Sequence, residues 1–346
     1  MFRVDGYVLF PYLRIRLMNT IASRILRRLS SAGDFLSGEE LSVELGITRS
    51  AVWKHIRQLR RDGYEVEAVT GRGYRLASLT GRPVEAEIRP FLTCQQMGGQ
   101  IEYHSSAVST NLLAKSLAAD GAVEGSVVVA DFQSGGRGRM GRTWISPAGV
   151  NLYFSLILRP KVPSIRVPQL TLLLAVAIHR ALTALAPELE AKIKWPNDIL
   201  SGPKKLCGVL CEMQSEPDYT HFVVVGIGIN VNQQEFPSEL QATATSLLLE
   251  TGRQFSRPEL LASVLNQFEP LYLQWLLCDD LDFVLPFLEE HSLLQSREVT
   301  IEQGRRAIAG RVSGIGRGGE LKVETPEGQT VLVSSGEATL RKTTNA

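Results

Sequence analysis

One run of residues constrains this chain more than any other: Gln133-Ser134-Gly135-Gly136-Arg137-Gly138-Arg139-Met140-Gly141-Arg142-Thr143-Trp144. Its four glycines let the backbone bend tightly and approach a ligand with no Cβ in the way. Three arginines interleave with them, and a guanidinium fork suits carboxylate and phosphate oxygens. Bare amides and arginine forks together make an anion cradle. Val127-Val128-Val129-Ala130 before the run and Asn151 to Leu158 after it read as strands, so the loop springs from a sheet. An Arg/Gly-rich linker or RNA-binding tail has no such strands so close on both sides. The run fits neither G-x-x-x-x-G-K-[ST] nor a G-x-G-x-x-G that opens a helix, which sets aside the ordinary P-loop and dinucleotide folds.

A length of 346 residues suits two or three domains, and 44% hydrophobic residues suits a globular protein. Lys and Arg total 37 against 36 Asp and Glu, so no global attraction to a polyanion is built in. Four cysteines (Cys94, Cys207, Cys211, Cys278) are too few for a disulfide framework. They read as free thiols, and a reduced, cytoplasmic setting is expected. The apolar patch Tyr7 to Phe10 is cut by Pro11, too short to span a membrane, and residues 1–17 read as an upstream extension. No membrane partner is expected.

Residues 18–82 carry three helical patterns in quick succession. Ile21, Ile25 and Leu29 repeat at helical spacing. Ser37-Gly38-Glu39-Glu40 forms a capping box that opens a second helix with Leu41 and Leu45 inward. Gly46 turns the chain, and Thr48 caps a third helix with Val52, Ile56 and Leu59 on one side. This is a helix-turn-helix. The third helix shows Arg49, Ser50, Trp53, Lys54 and Arg57 on its other side, the chemistry a recognition helix offers a major groove. Two strand-like runs around Thr70-Gly71-Arg72-Gly73 form a hairpin with Arg72 at its tip, the wing of a winged helix. The segment holds 11 Lys or Arg against 7 Asp or Glu, while the remainder holds 26 against 29. That local surplus favours a nucleic-acid partner, and the expectation is operator DNA, bound by a dimer on a two-fold-related site. A winged helix that serves only protein contacts is the alternative.

Residues 83–292 form the expected central domain, after a linker at Gly81, Arg82 and Pro83. A strand at Ile101 to His104 leads to Ser109-Thr110-Asn111 and a helix. That trio either caps the helix or offers hydroxyl and amide groups to a polar ligand. Thr171 to Leu185 is an apolar core helix. Pro196 interrupts Lys194-Trp195-Pro196-Asn197-Asp198, which leaves Lys194 and Asp198 with opposite charges near a strand end. Lys204 and Lys205 lead into another strand, although hairpin turns carry lysines without any function. Phe222 to Asn230 is a strand whose Gly226 and Gly228 permit close backbone approach. Residues 293–346 split into short strands with Gly-rich turns, a small antiparallel barrel.

Five motifs stand in order: Ser109-Thr110-Asn111, the Arg/Gly run ending at Trp144, Lys194 to Asp198, Lys205-Leu206-x-Gly208, and Gly226-x-Gly228-x-Asn230. Over residues 18 to 341 the chain resembles the biotin–protein ligases and, with its winged helix, those that also repress the biotin operon. Met140 departs from the family, where an arginine often sits. The resemblance implies an α+β multidomain fold: a winged helix-turn-helix, a mixed-sheet α/β ligase domain like class II synthetases, and a C-terminal SH3-like β-barrel. It implies biotin and ATP as substrates, with Mg2+. Biotinyl-5′-AMP would form first, and biotin would then pass to a lysine of biotin carboxyl carrier protein. Ser109, Thr110, Asn111 and Gln133 are expected on the biotin side. Arg137, Gly138 and Arg139 would hold the carboxylate and adenylate, Lys205 would bridge carboxylate and α-phosphate, and Lys194 would assist. Asp198 would place Mg2+ or the acceptor lysine. Arg341 would reach the nucleotide, or is a solvated strand-end charge. A loop ordered by adenylate would promote a homodimer. A ligase with a vestigial winged helix, and a ligand-sensing DNA-binding regulator without ligase activity, are the alternatives.

Overall fold

The computed structural model describes residues 21–340 apart from 217–218 and 304–305, so the expectations for residues 1–17 and for Arg341 lie outside the described residues. The chain divides into two compact units, Met1–Phe91 and Leu92–Ala346.

In the first unit, α1 (Ile21–Ala32), α2 (Gly38–Leu45) and α3 (Arg49–Arg61) pack around Ile25, Leu29, Leu41, Val52, Ile56 and Leu59. The Ser37 hydroxyl accepts from the Glu40 amide at 3.1 Å, and the Glu40 carboxylate accepts from the Ser37 amide at 2.7 Å. Two of the amide donors at the helix start are thereby satisfied. Gly46 ends α2 in the left-handed region at φ 67°, and the Thr48 hydroxyl accepts from the Ala51 amide to open α3. Strands β1 (Glu65–Val69) and β2 (Gly73–Ser78) form the antiparallel wing, and Leu36 exchanges backbone bonds with Tyr74 beneath it. A short helix, α4 (Glu85–Ile88), follows. Its fully buried Glu87 accepts from Thr80 and from the Gly81 amide, which ties the segment after the wing into this unit.

The second unit is built on a seven-stranded mixed sheet. Its members are β3 (Ile101–His104), β4 (Val127–Ala130), β5 (Leu152–Leu158), β6 (Ala191–Lys194), β7 (Asp198–Ser201), β8 (Lys204–Glu216) and β9 (Tyr219–Ile229), in the order β3-β4-β5-β9-β8-β7-β6. Only β3 and β4 run parallel. Helix α5 (Thr110–Ala119) lies over β4, β5 and β9, where Ala114 and Ala118 meet Val128, Ile157, Phe222 and Val224. Helix α6 (Gln169–Leu185) is buried on nearly every side, as its apolar run from Leu172 to Ile178 requires. Ser164–Leu185 is long and apolar enough to cross a membrane, but its most apolar window is 72% buried inside the fold.

After the short helix α7 (Leu247–Thr251), α8 (Arg257–Leu277) packs along α6. Ser256 caps α8 and Pro258 sits in its first turn, two ordinary helix-opening devices. Helix α9 (Leu285–Glu290) leads into the SH3-like module. That module comprises β10 (Glu298–Gln303), β11 (Arg306–Ile315), β12 (Leu321–Glu324), β13 (Thr330–Val333) and β14 (Glu337–Leu340), an antiparallel sheet ordered β13-β12-β11-β10-β14.

Candidate functional site

Strand alternation and register decide what gathers at the amino end of α5. Residues two apart share a face, so Gly228, Gly226 and Val224 of β9 face the same way. Paired with them on β8 are Gly208, Leu210 and Glu212, and Ser155 of β5 stands opposite Gly226. Val224 lies under α5, which places all of these on the helix side of the sheet. The two glycines then explain themselves. A Cβ on Gly226 would stand 2.1 Å from Asn111 Oδ1, and one on Gly228 would stand 2.6 Å from the Trp144 indole. Both side chains lie flat on the strand because the strand has no side chain there.

The Ser109-Thr110-Asn111 trio does not spend its side chains on capping: Ser109 is the cap residue but makes no side-chain cap bond. The Thr110 amide donates instead to Gln133 Oε1 at 2.9 Å, while Gln133 Nε2 donates to Ser146 Oγ at 2.9 Å. Ser155 Oγ lies 2.8 Å from Thr110 Oγ1 and 2.6 Å from Asn111 Oδ1. Asn111 Nδ2 donates to Glu212 Oε2 at 2.7 Å, and Lys115 Nζ to Glu212 Oε1 at 2.5 Å. Burial works against ionisation of Glu212, but the bonds from Lys115 and Asn111 outweigh it and hold its carboxyl below the usual range.

Charges gather at the other end. Lys194 and Asp198 stand opposite each other across the β6–β7 hairpin, and Asp198 Oδ1 is 2.8 Å from Lys205 Nζ. The Lys205 backbone is fixed on both sides, donating to Thr243 and accepting from Thr245. Its ammonium sits 5.3 Å from the Trp144 ring centre. Arg139 donates to Asn197 Oδ1 at 3.0 Å, and Asn197 Nδ2 in turn to the Val209 carbonyl at 2.8 Å. Burial lowers the pKa of the Arg139 guanidinium, partly offset by Asp198. The Arg/Gly run folds as a tight hairpin, closed by Gly138 N–H to Arg142 and Trp144 N–H to Gly136. Met140, at φ 56° and 79% exposed, stands at its tip. Arg142 pairs with Glu337 of the C-terminal module, and the Trp195 indole donates to the Gly319 carbonyl at 2.9 Å. Chain segments far apart in sequence thus fix two hairpins, the Arg/Gly run and the β6–β7 turn.

Between the two ends lies a cavity of about 480 Å³. Ser109, Thr110, Asn111 and Gln133 line one end, and Lys194, Asp198 and Lys205 the other. Arg137, Gly138 and Arg139 line it from the Arg/Gly run. Sequence reading gave no role to Ser155, Glu212 or Glu337, and named Asn197 only as part of the Lys194–Asp198 motif. Counting alternate residues along the strand from Gly208 would have reached Glu212. Ser155 had only the oddity of a hydroxyl within an apolar strand.

Cys207 and Cys211 are free thiols, and burial pushes them up, Cys211 to about 12. That leaves them protonated and inert.

The first unit presents a separate face. Arg49, Ser50, Trp53, Lys54, Arg57 and Arg72 are all exposed. Arg57 stacks 4.7 Å over the half-exposed Trp53 ring, Arg49 pairs with Glu39, and Arg72 lies 4.3 Å over Phe35.

Three family profiles match: an HTH domain over residues 22–75, the biotin/lipoate A/B protein ligase family over 104–230, and the biotin protein ligase C terminal domain over 297–341. The chain is 42% identical over 320 residues to the bifunctional ligase/repressor BirA of Bacillus subtilis (strain 168), covering 92% of this chain and 98% of that protein. It is 30% identical to the protein of the same name from Escherichia coli (strain K12), covering 88% and 93%. Among solved structures, the biotin protein ligase of Aquifex aeolicus in complex with biotin and ATP superposes with a TM-score of 0.61 at 33% identity. That match covers 71% of this chain and 100% of that one.

Proposed function

The chain belongs to the biotin protein ligase family, and from that premise we propose that it is a bifunctional ligase and repressor. It activates biotin with ATP, joins it to a lysine of biotin carboxyl carrier protein, and represses biotin synthesis genes through its winged helix. What carries the ligase reading is one cavity with a hydrogen-bonding end at Asn111 and Gln133 and a cationic end at Lys205 and Arg139.

A biotin carboxylate oxygen attacks the α-phosphorus of ATP, the bond to pyrophosphate breaks, and biotinyl-5′-AMP remains. The carrier's lysine amine then attacks the acyl carbon, the bond to AMP breaks, and the amine loses a proton. Neither step needs a protein nucleophile. Both need negative charge neutralised and the reactants aligned. Lys205, its backbone held on both sides, supplies a cation between carboxylate and α-phosphate. Arg139, desolvated and oriented by Asn197, holds the adenylate, and Arg137 and the Gly138 amide complete the cradle. Lys194 stands by for the outgoing phosphates. Ser109, Thr110, Asn111 and Gln133 take the biotin head.

Among the described residues no group of three His, Cys, Asp or Glu could hold a metal ion. Asp198 is the hard oxygen donor at the cationic end, and magnesium commonly binds through one or two carboxylates and substrate phosphates. The donors therefore fit a Mg2+ ion that arrives with the nucleotide. When bound, that ion neutralises phosphate charge.

Arg49, Ser50, Trp53, Lys54 and Arg57 read the operator's major groove, with Arg72 of the wing on the backbone. A homodimer formed when adenylate fills the cavity would match a two-fold operator. Its substrates put the protein in the cytoplasm. Incubation with MgATP, biotin and a carrier domain, followed by intact-mass measurement, tests the ligase. A carrier mass that does not gain one biotinyl group rejects it. A titration of operator DNA with adenylate-loaded protein tests the repressor, and the absence of a sequence-selective shift rejects that part.

A further inference from the structure

The polar chain beneath the biotin head can be oriented atom by atom. Asn111 is 6% exposed, and its Nδ2 faces two groups that can only accept, the Glu212 carboxylate at 2.7 Å and the Leu210 carbonyl at 3.4 Å. A carboxylate offers no proton, so the Asn111 amide has one possible orientation. Its Oδ1 must then face Ser155, which is fully buried. Oδ1 can only accept, so the single proton of Ser155 goes to it. Thr110 Oγ1 therefore keeps its own proton and gives it to Ser155 Oγ or to Gln133 Oε1, which lies 3.3 Å away. The Thr110 amide already fixes Gln133 with its oxygen on that side. Either way the Thr110 proton points into the protein, and a lone pair is left for the cavity.

We infer that Glu212 is a positioning residue that sets the hydrogen-bond polarity of this chain, so that Thr110 meets the ligand as an acceptor and selects a head group that donates an N–H. This rests on the biotin reading above, since a ureido ring carries such an N–H. It supplies what the matching biotin/lipoate profile leaves open, because a dithiolane ring has no N–H to give.

Lys115 provides the test. It demands an acceptor at the Oε1 position of residue 212. In Glu212→Gln the new amide keeps its oxygen toward Lys115 and turns its NH2 toward Asn111. Asn111 must then flip, Ser155 gives its proton to Thr110, and the Thr110 proton, displaced from Ser155, turns to the more distant Gln133 or to the cavity, where it opposes the ligand N–H. We expect biotin affinity, measured by titration calorimetry, to fall about tenfold in Glu212→Gln, which is about 1.4 kcal/mol. In kinetics the loss belongs in KM for biotin far more than in kcat. Lys115→Met alone should change affinity less than about threefold, because the pair is only half-buried and lies one residue removed from the ligand. The double variant Glu212→Gln, Lys115→Met frees the glutamine to turn round and should recover to within about threefold of the parent. A structural defect would not be rescued by a second lesion. Glu212→Gln binding biotin like the parent, or a double variant no better than Glu212→Gln, overturns the inference. A parent protein that does not bind biotin instead rejects the proposed function.

Discussion

The molecule places the same cations in two opposite settings. On α3, Arg49, Lys54 and Arg57 stand in water, and their neighbours are other exposed side chains such as Glu39 and Trp53. In the cavity, Arg139 is desolvated, and Lys205 is held by Asp198, Trp144 and the backbone of residues 243 and 245. Exposed charges are screened by salt and act as a sum. Desolvated ones act singly, because nothing else can reach the atom they neutralise. Burial therefore decides whether an arginine is one contributor among many or indispensable.

The comparison is broken first at Lys205. Lys205→Ala should lower biotin-dependent pyrophosphate–ATP exchange by about 10²- to 10³-fold with the melting temperature nearly unchanged. Exchange at the parent rate would remove Lys205 from the chemistry. Arg139→Ala should cost about 10²-fold in the same assay, and Arg139→Lys should recover little, because a lysine cannot hold Asn197 through one nitrogen and offer a second planar donor to the adenylate. On the exposed side, Arg57→Ala should weaken operator binding about tenfold and relax sequence selectivity at the base it reads, leaving ligation untouched. A loss of 10³-fold there would erase the distinction.

His179 sharpens the role of burial. Its desolvation lowers its pKa from 6.5 to about 4. The unfolded chain therefore binds more protons, and stability rises with pH. This contribution is whole above pH 6.5 and is lost as pH falls through about 4, with a slope approaching about 1.4 kcal/mol per pH unit. Chemical unfolding across that window should show the slope, and His179→Asn should flatten it. The smallest effect belongs to the solvent-facing pair of Arg142 and Glu337, where Glu337→Gln should change unfolding free energy by less than about 1 kcal/mol. A larger change in a melting experiment would mean that the pair is less exposed than its surroundings suggest.

The parts that sequence made legible were those set by neighbours along the chain. The Ser37–Glu40 capping box, the Thr48 cap, the wing around Arg72 and the strands beside the Arg/Gly run are all local devices, and each formed where expected. Illegible were relations that only register creates. Glu212 meets Asn111 across a sheet, Ser155 lies beneath a helix start, and Arg142 finds Glu337 across 195 residues. Strand β14 joins the module through β10, a partner far from it in sequence, so where it pairs could not be read from its neighbours along the chain. Helix α8 is a different case, since Ser256, Pro258 and Glu259 spell an ordinary helix start.

The bond from Trp195 to Gly319 also has a consequence in time. Its two ends lie 124 residues apart. At ribosomal speeds of about 5–20 residues per second, Gly319 is made on the order of ten seconds after Trp195. Throughout that interval the hairpin bearing Lys194 and Asp198 lacks its tether, and the cavity wall at Glu337 does not yet exist. We expect stalled nascent chains that stop before Gly319 to be cut by protease at this hairpin, and chains that have passed the module to resist. Synthesis itself would then keep the young enzyme from activating biotin before it is whole.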